Sequence, residues 1–187
     1  LEQKFTDSEG NLDGKLISSF FRDFLMRNGK YVRKSETYQS FENKYISGLF
    51  DPKSITQELH ESADLYNIIR GQTEHPKNKI EKSLVKLREL DSSTTYPLVL
   101  KLMLLDLPVK DLKKAIDWLS SFILRRFICQ ESSRAYGRWF VSACEELKND
   151  PMENLRMFLI SKGFPNDIRF KEQFKLFNLY GSRYTKS

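Results

Sequence analysis

The sequence predicts an all-α fold, an irregular bundle of about nine helices with no sheet. Three observations carry that expectation. The 187 residues include only 8 Gly and 6 Pro, and long stretches lack both, unlike a turn-dense β protein. Apolar residues recur at three- and four-residue spacings, and no period-two alternation competes with them. Hydrophobic residues make up 40% and aromatics 13%, too rich a composition for a disordered chain and enough to bury a sizeable core.

Taken in order, residues 1–13 read as an N-terminal loop or linker, because Asp7-Ser8-Glu9-Gly10-Asn11 is turn chemistry. A single helical domain over 14–187 follows, with a subdivision near 91–95 as its one candidate boundary. The first helix starts near Gly14, carries Leu16, Phe20, Phe21, Phe24 and Leu25, and stops at Asn28-Gly29, a C-terminal cap pair. Ser35 opens a second, with Tyr38, Phe41, Tyr45 and Leu49 on one stripe, ending before Asp51-Pro52. Ser54 caps a third through Ile55, Leu59, Ala63, Tyr66 and Ile69, and Gly71 to Lys77 is a polar connection. Ile80, Leu84, Leu87 and Leu90 mark a fourth. Thr94 or Thr95 caps a fifth, with Pro97 in its first turn. That helix, 96–106, is apolar nearly all round and is therefore expected at the centre. Val109 starts the sixth, through Leu112, Ile116, Leu119 and Ile123. Tyr136, Phe140, Ala143, Cys144 and Leu147 line the seventh. Asp150-Pro151 restarts the chain as an eighth through Leu155, Phe158 and Leu159. Gly163 to Asp167 breaks it, and Asn166 or Asp167 caps a last helix through Phe170, Phe174 and Phe177.

Charge divides unevenly. Residues 1–109 hold 16 Lys and Arg against 16 Asp and Glu, whereas residues 110–187 hold 15 against 9, the whole net excess of +6. A basic half is a footprint for phosphate backbone, although many solvated helical surfaces match so modest an excess. The apolar stretch around 98–105 is interrupted by Lys101 and falls short of the roughly 18–20 residues that span a bilayer. Neither a membrane partner nor a signal peptide is expected. Cys129 and Cys144 read as buried free thiols in a reducing cytoplasm. The chain opens on Leu1 without a Met and reads as a piece of a longer protein.

Catalytic constellations are not legible. His60 and His75 stand outside any HExxH or H-x-E setting, and the cysteines lie 15 positions apart without a nearby His, so no metal or cofactor is expected in this segment. No phosphate-binding glycine loop is present, and Glu145-Glu146 are adjacent on a helix and face different ways.

The stretch that stands out is Arg125-Arg126-Phe127-Ile128-Cys129, leading into Ser133-Arg134-Ala135-Tyr136-Gly137-Arg138-Trp139-Phe140, with four arginines among apolar and aromatic residues at a helix junction. Arg126 follows Leu119 by seven residues and falls on the packed face at about 100° per residue; Arg125 points well away, outward or toward a partner. A buried guanidinium needs a carboxylate or carbonyls, and Asp167 and Glu145 are the candidates. The bland reading is an internal clamp through Arg126 and Asp167. The sharper one is a DNA- or domain-docking surface of Arg125, Arg134, Arg138, Lys162, Arg169, Lys171, Lys175 and Arg183, with Tyr136 and Trp139 for stacking.

These residues resemble the helical middle region of GmrSD-type restriction endonucleases. Further pieces agree in order: Phe20-Phe21-Arg22-Asp23-Phe24-Leu25 with Gly29-Lys30, Tyr38-Gln39-Ser40-Phe41, Tyr96-Pro97-Leu98-Val99-Leu100, Phe164-Pro165-Asn166-Asp167 with Phe170, and Leu179-Tyr180 before Arg183-Tyr184. Gly137 departs from the polar residue, often Asn, that the resemblance leads one to expect there. The resemblance implies a phage-defence parent in which a ParB/sulfiredoxin-like nucleotidase domain precedes this region and a His-Me finger (HNH-type) nuclease domain follows it. It implies that this region is not itself the enzyme. It would couple the two flanking domains, or alternatively contact duplex DNA through its basic C-terminal half.

Overall fold

A computed structural model describes residues 1–6, 9–48, 50–73 and 80–177. Among these, nine α-helices form and no strand does; the one β-type contact is an isolated bridge between Thr6 and Leu12. The expected all-α bundle is the observed architecture.

Capping chemistry sets most of the boundaries. Helix α1 (Gly14–Met26) begins where the Asp13 carboxylate accepts from the backbone of Lys15 and Leu16. A 3-10 turn (Lys34–Glu36), helix α2 (Thr37–Phe41) and a π-helical turn (Glu42–Ile46) replace the continuous second helix that the stripe predicts. The π turn closes with Ser47 N–H donating to Glu42 at 2.9 Å, which rotates later side chains off the α-helical stripe. Tyr38, ahead of that turn, is 73% exposed, while Phe41 and Tyr45 stay in ring contact at 5.1 Å; Leu49 lies outside the described residues.

Helix α3 (Pro52–Arg70) is capped by Asp51, not Ser54: the Asp51 carboxylate accepts from Ser54 N–H and Pro52 occupies the first turn. Helix α4 (Glu81–Glu89) follows, and part of the connection expected over Gly71 to Lys77 lies outside the described residues. A 3-10 turn (Ser93–Thr95) leads into α5 (Tyr96–Leu104). Neither Thr94 nor Thr95 caps that helix through its side chain, because the Thr95 hydroxyl turns back to donate to Ser92 O at 2.7 Å. Helices α6 (Val109–Ile128), α7 (Tyr136–Glu146), α8 (Pro151–Ser161) and α9 (Asp167–Leu176) complete the order. Asp150 and Asn166 cap the last two from the side chain.

Helix α5 is central, packing against α1, α3, α6 and α7 with Leu98, Val99, Leu100 and Leu102 fully buried. The core has two clusters. One gathers Phe5, Phe20, Phe24, Tyr45, Ala63 and Tyr66; the other gathers apolar residues of α3 to α8. A cut at 91–95 does not separate them, since Tyr96 packs on both and Val141 of α7 belongs to the first. Nor is the segment before α1 a free linker. Phe5 is completely buried, and Lys4 pairs with Asp64 at 2.5 Å while Asn67 donates to its carbonyl at 2.9 Å.

Inside the first cluster Tyr66 donates its hydroxyl hydrogen to Asp23 at 2.9 Å. Burial pushes the Asp23 carboxyl up to about 7, against the opposing pull of the Tyr66 hydrogen bond and the Arg22 charge. At the end of α1, Gly29 has a positive φ of 89° and sits so close to α7 that a Cβ there would lie 2.7 Å from that of Glu145. No helix among the described residues is long and apolar enough to cross a membrane.

Candidate interaction surface

The two adjacent arginines at the end of α6 close one junction from different sides. Arg126 faces inward, as its spacing from Leu119 predicts, and is 5% exposed. Its Nη1 donates to the carbonyls of Lys162 at 2.8 Å and Gly163 at 3.2 Å, and its Nη2 to that of Ser132 at 3.3 Å. The acid beside it is Glu131 at 3.6 Å, neither Asp167 nor Glu145. Its guanidinium also lies 5.4 Å from the Phe122 ring centroid and 5.1 Å from that of Trp139. Three main-chain acceptors and an acid therefore offset the desolvation of this charge, although Nε remains buried without an acceptor among the described residues.

Gly163 makes the contact geometrically possible. It follows α8 with a positive φ of 79°, and a Cβ there would stand 3.2 Å from the Arg126 Nη1. The chain thus turns with its carbonyls toward the guanidinium.

Arg125 does not face outward as expected. It pairs with Asp167 at 2.6 Å, donates to Pro165 O at 3.0 Å and to the Ser121 hydroxyl at 3.2 Å, and lies 4.9 Å from the Phe170 ring centroid. The connection between α8 and α9 folds back over α6, so the side of the helix that periodicity leaves to solvent is covered. Asp167 belongs to the clamp through Arg125, in the first turn of α9 where a carboxylate also meets the positive helix end. Arg169 reaches Glu131 at 2.5 Å from the same helix.

Of the aromatic pair expected to stack on a base, Tyr136 is core. It is 6% exposed and packs at 5.3 Å from Phe140, and burial pushes its phenol upward. Trp139 is half-buried beneath Arg126 and Lys162. Arg134, Arg138, Lys171 and Lys175 are exposed, and Arg183 lies outside the described residues. Lys162 is half-buried over the Phe158 and Trp139 rings. Gly137 leaves room: a Cβ there would find only the Thr94 methyl, at 4.0 Å.

Two further features lie on the surface. Tyr31 is 47% exposed and is flanked by Arg22 at 5.3 Å and Arg138 at 5.8 Å from its ring centroid, which brings the loop after α1 against α7. An open cavity of about 550 Å³ lies between α8 and α9, lined by Ile160, Phe164, Pro165 and Ile168 together with Arg125, Asn166 and Asp167. The first needs residues far apart in the chain and leaves no local motif; the second joins residues 160–168 to Arg125 of α6.

Cys129 and Cys144 are free and buried, and burial pushes the Cys144 thiol up to about 12, far from nucleophilic use. No group of three or more His, Cys, Asp or Glu side chains is arranged to hold a metal ion among the described residues. Compared with known proteins, the chain matches no family model, no curated protein and no solved structure. The class the structure defines is an all-α multi-helix bundle.

Proposed function

We propose that this chain is a non-catalytic helical scaffold, the middle region of a GmrSD-type, modification-dependent restriction endonuclease of phage defence. It holds a nucleotidase domain and a nuclease domain in a set relation and passes nucleotide state from one to the other. The observation that carries this reading is the double lock of Arg125 and Arg126 on the α8–α9 connection. That lock fixes α9 against α6, although none of the described residues of α9 is buried. A helix held in place while contributing no buried residue suits presentation to a partner better than core filling. The ordered motifs of the sequence support the same family.

The test uses the longer protein that contains this chain. Arg125→Ala is expected to leave nucleotide hydrolysis intact while DNA cleavage loses its dependence on nucleotide. Cleavage that stays fully nucleotide-dependent in that variant, with α9 shown to be displaced, counts against the scaffold role.

A second reading is a DNA-binding module, favoured by the Arg22–Tyr31–Arg138 grouping, in which two cations flank one exposed ring. Labelled duplex should then shift with this chain at low salt and release as salt rises, with Arg22→Ala and Arg138→Ala each lowering the salt slope by about one. Absence of any shift at low salt removes this reading.

A further inference from the structure

We propose that the groove between α8 and α9 is the docking site for an amphipathic helix with an acidic polar face, supplied by a partner protein. The proposal deepens the scaffold reading and rests on it for the existence of a partner.

The groove is open and its exposed walls are apolar, with Arg125, Asn166 and Asp167 completing its lining. Ile160 is 49% exposed and Ile168 71%, on opposite walls, with Phe164 and Pro165 between them. Met157, one turn before Ile160 on α8, is 52% exposed and extends the apolar wall. The floor does not need to be built on binding, because Arg125 holds Pro165 through its carbonyl and the first turn of α9 through Asp167. Preformed walls reduce the ordering cost of association. Apolar walls of this kind take the i, i+3, i+4, i+7 anchors of an amphipathic helix.

Charge selects the occupant. Ile168, Lys171 and Lys175 recur at three- and four-residue steps along one side of α9, with Glu172 beside them and exposed Leu176 beyond. Neither lysine has a carboxylate partner among the described residues, whereas Arg156 is held by Glu153 at 2.7 Å and Arg169 by Glu131. Among the described residues, two unpaired lysines against one unpaired glutamate, Glu172, leave this side of α9 net basic, and the complement is acidic. A second copy of this chain would set the same lysines against each other. Residues 178–187 carry Arg183 and Lys186 and no acid, so they do not complement the rim.

The test is fluorescence anisotropy with the whole chain and a labelled helical peptide of about 18 residues, leucines on one face and glutamates on the other. Saturable binding is expected, about tenfold weaker for a lysine-faced counterpart and weaker again as salt rises from about 50 to about 300 mM. Ile168→Asp and Ile160→Glu, both at exposed positions, should each reduce affinity by about tenfold without lowering thermal stability. The proposal is overturned by no saturation, by equal binding of the two peptides, or by an unaffected Ile168→Asp variant. It also falls if the chain alone forms a dimer that Ile168→Asp abolishes, or if the peptide binds only after removal of residues 178–187. Because no nucleotidase or nuclease is in the assay, a failed groove and a failed coupling role are read separately.

Discussion

The Tyr66 hydroxyl donates to the Asp23 carboxyl across 2.9 Å, tying α3 to α1 within the aromatic cluster of Phe5, Phe20 and Phe24. Asp23 is buried, and its carboxyl protonates near 7 in the folded chain against 3.8 in the ordinary state. The folded state therefore binds the extra proton between those values. Stability from this group is full below about pH 4 and is lost as pH rises through 7. The swing is at most about 4 kcal/mol, from about 1.4 kcal/mol per unit. Urea unfolding at pH 5 and pH 8 should show a decline that Asp23→Asn largely removes. Tyr66→Phe, which takes away a bond holding the carboxyl down, should move the transition to higher pH. Equal pH slopes in wild type and Asp23→Asn would refute this account.

Arg126→Ala should cost about 3–5 kcal/mol, because Glu131 and the carbonyls of Lys162, Gly163 and Ser132 lose a buried donor together. Arg126→Met keeps the volume over Phe122 and Trp139, so it should cost less. Asp167→Asn is the contrast: Asp167 is largely exposed, and a pair of that kind contributes about 0–1 kcal/mol. Thermal melts of the three variants check the order, and wild-type stability in Arg126→Ala would exclude the clamp.

Gly163→Ala should destabilise the chain by about 1–2 kcal/mol through its left-handed backbone and the approach of the new methyl to Arg126. In Arg126→Ala the contact part of that penalty disappears. A double-mutant cycle should therefore give a coupling of about 0.5 kcal/mol or more, and strict additivity would show that the two positions do not meet.

Helix positions were readable because they rest on local chemistry: Asp13, Asp150 and Asn166 sit where the chain turns into a helix, and Gly29 and Gly163 where it turns out. Arg126 was readable too, since a seven-residue step from Leu119 is enough to put it on the packed face. What periodicity does not carry is the fold-back of a later segment. Helical phase puts Arg125 on the outside because it says nothing about Pro165 and Asp167 returning about forty residues on. Tyr136 is a similar case: an aromatic next to arginines reads as a stacking platform until Phe122 and Phe140 close over it. The Arg22–Tyr31–Arg138 grouping needs the loop after α1 to meet α7, a contact made through Gly29 and Glu145 and written in no single stretch.

Arg126 grips backbone carbonyls of the α8–α9 turn, and Arg125 adds one more at Pro165. A main-chain oxygen is the same whatever residue bears it. Exposed side chains on the outer side of α9, such as Ile168, Lys171 and Lys175, can therefore change without breaking any of these bonds. The surface that α9 presents can vary while its posture stays fixed.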